Sequence, residues 1–170
     1  GTRTFNGAPP SSRKRVSYDL TTYMTAWADG QSEPCYGPLI QASLGGIGIT
    51  FSGATVQSVT EGTRITCATA HSLAIGQAVR FESEIRFVTN VVDDLTIVVN
   101  APFASSPAAG AKLGKTITYM PANSLPSVSL FDYWQPAEAV QRIVSGAAVD
   151  TFQLGVNADF HQFRFAGDAA

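Results

Sequence analysis

Between Gly53 and Gly114 the chain breaks into short runs of β-branched and aromatic residues, each closed by a turn signal. Residues 55–59 and 64–67 flank Glu61-Gly62. Residues 78–81 and 85–91 flank Glu82-Ser83-Glu84, and residues 95–99 follow Asp93-Asp94. Runs of this length and composition predict strands joined as antiparallel hairpins. Five of them in succession predict a compact all-β module, a small barrel or a meander. Residues 103–114, rich in Ala, Ser, Pro and Gly, return the chain to a further β-type run at 116–119.

The flanking segments read differently. Val16-Ser17-Tyr18-Asp19-Leu20 alternates as a strand does, residues 21–28 fit either strand or helix, and Asp29-Gly30 marks a turn. Residues 36–44 carry Leu39, Ile40, Ala42 and Leu44, opened by Pro38 and closed by Gly45-Gly46, which predicts a helix. Residues 120–130 predict a loop followed by a short strand. Beyond Tyr133-Trp134, read as core packing, Pro136 suits a first helical turn, and Glu138 and Arg142 stand one turn apart. Val140, Ile143 and Val144 make an apolar stripe, and Gly146 is placed to end it, so residues 134–146 predict a second short helix. Phe152, Leu154 and Val156 then alternate with Thr151, Gln153 and Gly155. Asn157-Ala158-Asp159 is a turn, and Phe163 and Phe165 alternate with Gln162 and Arg164, which predicts a closing hairpin. The simplest architecture is mainly β and discontinuous. It has an arm at 1–16, a parent β-domain at 17–52 plus 115–170, and an inserted β-module at 53–114.

Composition narrows the function classes. Of 170 residues 45% are hydrophobic, enough for a sizeable core, yet only 14% are charged, well below the usual quarter. A surface covered by neighbouring copies has little use for Lys and Glu; a bland Ser/Thr-rich β-domain gives the same profile. The net charge of −2 argues against a nucleic-acid binder held by a basic surface. The one basic cluster, Arg13-Lys14-Arg15, sits beside Pro9-Pro10-Ser11-Ser12 on the arm and reads first as a solvated run, second as a contact to an acidic neighbour. Cys35 and Cys67 lack ligand spacing and read as two reduced, mostly buried thiols. No apolar run is long enough to span a membrane, and no signal peptide is visible. The chain opens on Gly1 without a methionine, as a fragment or a processed product does.

The residue types that carry chemistry are sparse. His71 and His161 are the only histidines. His71, in Thr69-Ala70-His71-Ser72-Leu73, reads as an imidazole fixing a turn, since a catalytic base needs a nucleophile and an orienting acid that nothing nearby supplies. His161 belongs to the strand of Phe163 and Phe165. Asp93-Asp94 lacks the further ligands of a calcium loop and reads as a hairpin turn. Glu82 and Glu84 beside Arg80 and Arg86 read as cross-strand ion pairs. Gly45-Gly46-Ile47-Gly48 lacks the Lys-Ser/Thr of a phosphate loop. These readings predict no catalytic residue, no cofactor and no metal.

Two segments together resemble bacteriophage tail tube proteins. Gly30-Gln31-Ser32-Glu33-Pro34-Cys35-Tyr36-Gly37-Pro38-Leu39-Ile40-Gln41-Ala42-Ser43-Leu44-Gly45 is similar to their turn leading into a Gly-Pro-Leu-Leu helix. Gly146-Ala147-Ala148-Val149-Asp150, with the strand Asp159-Phe160-His161-Gln162-Phe163-Arg164-Phe165-Ala166-Gly167, resembles their closing helix-to-hairpin segment. The match covers about a third of the chain and consists of packing patterns. Residues 69–81 resemble a Thr-His-x-Leu-x-x-Gly-x-x-Val-x-Phe pattern of small β-modules in phage virion proteins, an insertion that a plain tail tube protein need not carry. The resemblance implies a β-sandwich or split barrel with one flanking helix, whose copies form rings, six to a ring. The rings stack into a virion tube, assembled in the host cytoplasm, through which DNA passes without specific binding. Partners would be further copies and other tail proteins, with no membrane. Residues expected at assembly contacts are Arg3, Arg13, Lys14, Arg15, Pro34, Tyr36, Phe152 and Phe163. Residues 34–44 and 143–149 are expected to pack on the parent sheet, and 53–114 to project outward. Other positions and classes stay open: a tube-end or terminator protein, a carbohydrate- or receptor-binding domain of a fibre or baseplate, or a small hydrolase. The binding-domain reading expects exposed rings at Tyr133 and Trp134, and the tube reading expects them buried.

Overall fold

The computed structural model describes residues 15–27, 30–134, 140–156 and 160–169. In chain order the elements are β1 (Val16–Tyr23), α1 (Gly37–Leu44), β2 (Ile49–Phe51), β3 (Ala54–Thr60), β4 (Arg64–Cys67), β5 (Ala78–Phe81) and β6 (Glu84–Val91). They continue with β7 (Thr96–Val99), β8 (Lys112–Leu113), β9 (Thr116–Thr118), β10 (Val128–Trp134), β11 (Val140–Ala147), β12 (Thr151–Val156) and β13 (His161–Ala169). The fold is mainly β. None of its helices among the described residues is long and apolar enough to cross a membrane. The chain divides into two compact units. One takes Gly1–Ala28, Pro34–Gly46 and Pro121–Ala170, and the other takes Asp29–Glu33 and Ile47–Met120.

The second unit is built on a six-stranded antiparallel sheet, ordered β5-β6-β7-β4-β3-β8. A bridge between Arg80 and Gly114, with the Gly114 N–H donating to the Arg80 carbonyl at 2.7 Å, nearly closes it into a barrel. Inward-facing Val56, Ile65, Cys67, Val79, Val88, Ile97 and Val99 fill the interior, with Phe51, Leu73, Phe103 and Leu113 at its ends. The turn-bounded runs of the sequence supply the β3–β7 strands. Glu61 and Glu82, at φ +55° and +51°, open the hairpin turns the sequence placed there. This unit extends past residues 53–114 to include the antiparallel β2–β9 pair. The reason is local: the Thr116 hydroxyl donates to the Ala78 carbonyl at 2.7 Å, and the Thr118 hydroxyl accepts from the Ala78 N–H at 2.9 Å, fastening β9 along β5.

The first unit centres on a three-stranded antiparallel sheet, β1-β13-β12. β1 pairs with β13 without interruption, from Val16 opposite Ala169 to Tyr23 opposite Gln162. Phe163 and Phe165 point to one face, where Phe165 stacks on Phe152 at 5.0 Å and 8° and Phe163 meets Tyr36 at 5.0 Å. Tyr36 opens α1 and, with Ala42, Leu39 and Ile40, seats that helix on the phenylalanines. Its phenol donates to the Thr25 carbonyl at 2.9 Å. Helix α1 lies where Pro38 and Gly45 predict it.

Among the described residues the second helix expected at 134–146 is not found: Val140–Ala147 is a strand, β11, paired antiparallel with β10. Pro136 and Glu138 lie outside the described residues. Val140, Ile143 and Val144 are β-branched, which costs χ1 freedom in a helix and suits a pleated strand, and so short an apolar run fits either period. Gly146 has the positive φ, +64°, that a helix end would also require. Here it belongs to a bulge, because Val128 faces Ala147 while Leu130 already faces Val144, leaving an extra residue on β11. The expected turn at Asn157-Ala158-Asp159 also lies outside the described residues. Strands β12 and β13 on either side of it form the expected hairpin, Phe152 opposite Phe165 and Leu154 opposite Phe163.

Beside Gly167 the connection into β12 crosses β13 closely. Ala148 N–H donates to the Asp168 carbonyl at 2.9 Å and Asp150 N–H to the Ala166 carbonyl at 3.0 Å. A side chain on Gly167 would run into the Ala148 carbonyl oxygen. Gly167→Ala is therefore expected to destabilise the first unit by about 1–3 kcal/mol, the range for overpacking, read as a lowered urea midpoint with unchanged slope.

Candidate functional site

The residue that most resembles a catalytic base has a structural engagement. His71 is buried in the second unit. Its Nδ1 accepts from the Leu73 N–H at 2.9 Å, and its Nε2 lies 3.0 Å from the Asp93 carbonyl, so Nε2 carries the proton and donates. Both ring nitrogens are thereby held by backbone. The pair of bonds ties the loop around Ser72, which sits at φ +53°, to the β6–β7 turn. Asp93 shapes that turn itself: Oδ1 accepts from the Leu95 N–H at 2.8 Å, and that bond holds its carboxyl below the usual range. His161 lies in the first unit, exposed on β13. Among the described residues no group of three or more His, Cys, Asp or Glu is placed to hold a metal.

The carboxylate–arginine pattern of the β5–β6 hairpin runs along one strand, correcting the cross-strand reading. Glu84 and Arg86, two apart on β6, form the ion pair. Glu84 Oε1 accepts from the Ala104 N–H, and Arg86 Nε donates to the Pro102 carbonyl while its guanidinium lies 5.1 Å from the Phe103 ring centroid. Register places Arg80 opposite Ile85, so it faces no carboxylate across the hairpin. Of the two thiols, Cys67 is buried as expected, and burial pushes its pKa up, whereas Cys35 is exposed, contrary to the buried reading.

Of the residues expected at assembly contacts, Arg3, Arg13 and Lys14 lie outside the described residues, and Arg15 is exposed just ahead of β1. Pro34, Tyr36 and Phe163 are buried inside the first unit. Tyr36 and Phe163 spend their apolar surface on its own core, where α1 meets the sheet, and none of the three has an outward face. Phe152 alone sits at the boundary, one side stacked on Phe165 and the other open.

The open apolar surface lies elsewhere on the first unit. On the β10–β11 hairpin Phe131 is 58% exposed, Tyr133 72%, Trp134 67% and Ile143 57%; on β12 Leu154 is 53% and Val156 66% exposed. Tyr133 and Trp134 are thus not core residues. Register sets Phe131 opposite Ile143 and Tyr133 opposite Gln141, whose side-chain amide donates to the Tyr133 hydroxyl at 3.1 Å. Phe131, Tyr133 and Ile143 share one face. The opposite face carries Leu130, Asp132, Trp134, Arg142 and Val144; Leu130, Asp132, Arg142, Val144 and part of Phe131, with Val16 to Leu20 of β1, line a groove of about 480 Å³. Strand alternation in Phe131-Asp132-Tyr133 and Gln141-Arg142-Ile143 was the signal that locates this surface; a helical reading of 134–146 conceals it.

The reverse face of the three-stranded sheet is polar. Arg164 reaches across it to Asp19 with Nε at 3.0 Å and Nη2 at 2.6 Å, and to Gln153 Oε1 with Nη1 at 3.2 Å. Those hydrogen bonds hold the Asp19 carboxyl below its usual range and raise the guanidinium. The fixed pair cancels its own charge in the middle of that face.

Comparison with protein-family models, with curated proteins and with solved structures finds no match to the chain.

Two outcomes test these assignments. His71→Ala leaves the buried Leu73 N–H without its acceptor and takes one of two donors from the Asp93 carbonyl, which keeps the Thr96 N–H, and is expected to cost about 1–3 kcal/mol, measured by denaturant unfolding. For the ion pair, a depressed folded-state pKa adds stability above the unfolded aspartate value, about 3.9. That stability is lost as pH falls through the lower folded value. Both groups are solvent-exposed, so the effect is small. The thermal midpoints of wild type and Arg164→Gln should differ slightly at neutral pH and converge below that window.

Proposed function

We propose that the chain is a structural subunit of a phage-like particle, a tail tube protein or a tube-end relative, whose copies associate into rings that stack around a conduit for DNA. The observation that carries the reading is the large apolar surface of the first unit, on the β10–β11 hairpin and β12. Aromatic side chains bury about 150–250 Å² each when covered, so the exposed parts of Phe131, Tyr133 and Ile143, which share one face, amount to a few hundred Å². A patch of that size marks a contact surface. The low charge content agrees with it, as does an open β-edge at β12, which an isolated chain would leave as a site for unwanted pairing. On this reading the neutralised polar face with Arg164 and Asp19 suits a surface along which phosphates slide without being held.

A carbohydrate- or receptor-binding domain is the second reading, and the exposure of Tyr133 and Trp134 in the single chain favours it. Against it, Phe131, Ile143, Leu154 and Val156 extend the surface with groups that offer a sugar no hydrogen bonds.

Negative-stain electron microscopy and sedimentation of the purified chain separate the two. The tube reading predicts rings or tubes that grow with protein concentration. A species that stays monomeric at high concentration and binds glycans through Trp134 overturns it.

A further inference from the structure

We infer that the β10–β11 hairpin of one copy seats on the open edge of β12 of a second copy, so that Phe131, Tyr133 and Ile143 lie beside Phe152, Leu154 and Val156. The inference rests on the self-assembly reading and assigns the surfaces that carry it.

Three observations lead to this pairing. First, the hairpin is incompletely supported by its own unit. Its base is anchored, with Ala147 buried and Val128 packed on the core, but exposure rises toward the far end, where Tyr133 and Trp134 are mostly in solvent. β10 and β11 pair only with each other among the described residues. A two-stranded hairpin is marginal in water, and this one has the face of Phe131, Tyr133 and Ile143 open to solvent, so it needs a cover.

Second, β12 has a free side. Among the described residues it pairs with β13 alone. Phe152, Leu154 and Val156 alternate on it toward the apolar face, increasingly exposed toward Val156. Strand addition at that edge would satisfy its outward backbone groups, and a partner strand with apolar residues at alternate positions would continue the row. β10 and β11, at 7 and 8 residues, are long enough to run the 6 residues of β12.

Third, the areas match a specific contact only in combination. The three side chains on that hairpin face, Phe131, Tyr133 and Ile143, leave roughly 350 Å² open, and the β12 row adds somewhat less. With the backbone edge covered as well, the pairing approaches about 1,000 Å², the size a specific interface requires. Neither patch alone reaches it. The contacting side chains carry no formal charge, so they do not fit a nucleic acid or a charged peptide. The two surfaces are different patches of one chain, so their meeting is head-to-tail, the type that closes rings or extends filaments.

The test uses two variants of the full chain. Phe131→Ser with Ile143→Ser disables the hairpin face, and Leu154→Glu with Val156→Glu disables the edge. All four side chains are more than half exposed, so each variant should keep the wild-type circular dichroism. Each alone should lose self-association by at least about tenfold in Kd, roughly 1.4 kcal/mol. An equimolar mixture should form a 1:1 dimer and grow no further, because one intact hairpin and one intact edge remain. Should a variant fail to fold, Tyr133→Cys copies mixed with Val156→Cys copies, both in a Cys35→Ser background, should form mixed disulfide dimers under mild oxidation. Wild type that assembles while both variants assemble equally well, or a mixture that stays monomeric, or no mixed disulfide, overturns the pairing and leaves the assembly reading standing. Wild type that stays monomeric overturns both.

Discussion

The stack of Phe165 on Phe152, continued through Phe163 to Tyr36, sets what the first unit covers and what it leaves open. It draws α1 onto the middle of the apolar face. A helix of 8 residues is about 12 Å long, while strands of 8 and 9 residues run for nearly 30 Å. The helix therefore covers only part of that face, whose end at Ala169 is nevertheless buried. Leu154 and Val156 remain open beyond one end of that stack. The bulge at Gly146 sits at the base of the hairpin that carries Phe131 and Ile143 away from the core. The exposed apolar surface follows from a short helix on long strands, and it is the basis of the assembly reading.

The second unit solves the same problem differently. Its sheet curls nearly into a barrel, so the strands cover one another, and one short bridge at Arg80 and Gly114 joins the two edges. Interior positions such as Ile65, Val79 and Ile97 are fully buried without a covering helix. Outside the barrel, Glu84 and Arg86 pin the segment carrying Phe103 over its end. His71 fastens a loop to the β6–β7 turn through both ring nitrogens. Polar residues that looked chemical in the sequence serve here as fasteners of loops.

Much of this was legible in the sequence where local signals and tertiary packing agree. Glu61-Gly62 and Glu82-Ser83 between β-branched runs located the barrel hairpins, Pro38 and Gly45 bounded α1, and the alternation through Phe152 and Phe163 located β12 and β13. Residues 134–146 were misread because Val140, Ile143 and Val144 fit a helical stripe as well as a strand, and Gly146 has a positive φ in either case. Only pairing with Phe131-Asp132-Tyr133, set by tertiary structure, decides between them. The candidate contact surface was harder to read. Alternation tells which residues share a face but not how much of that face a short helix will cover. Tyr36 and Phe163 are accordingly interior, while Leu154 and Ile143, of the same residue class, are exposed.

The central claim is that another copy covers the open edge and apolar row of β12. Amide hydrogen exchange at residues 152–156, compared between dilute monomer and assembled protein, tests it most directly. Outward-facing N–H groups of β12 should exchange quickly in the monomer and slow strongly on assembly, together with those at the far end of the β10–β11 hairpin. Assemblies in which β12 exchanges as fast as in the monomer would contradict the account.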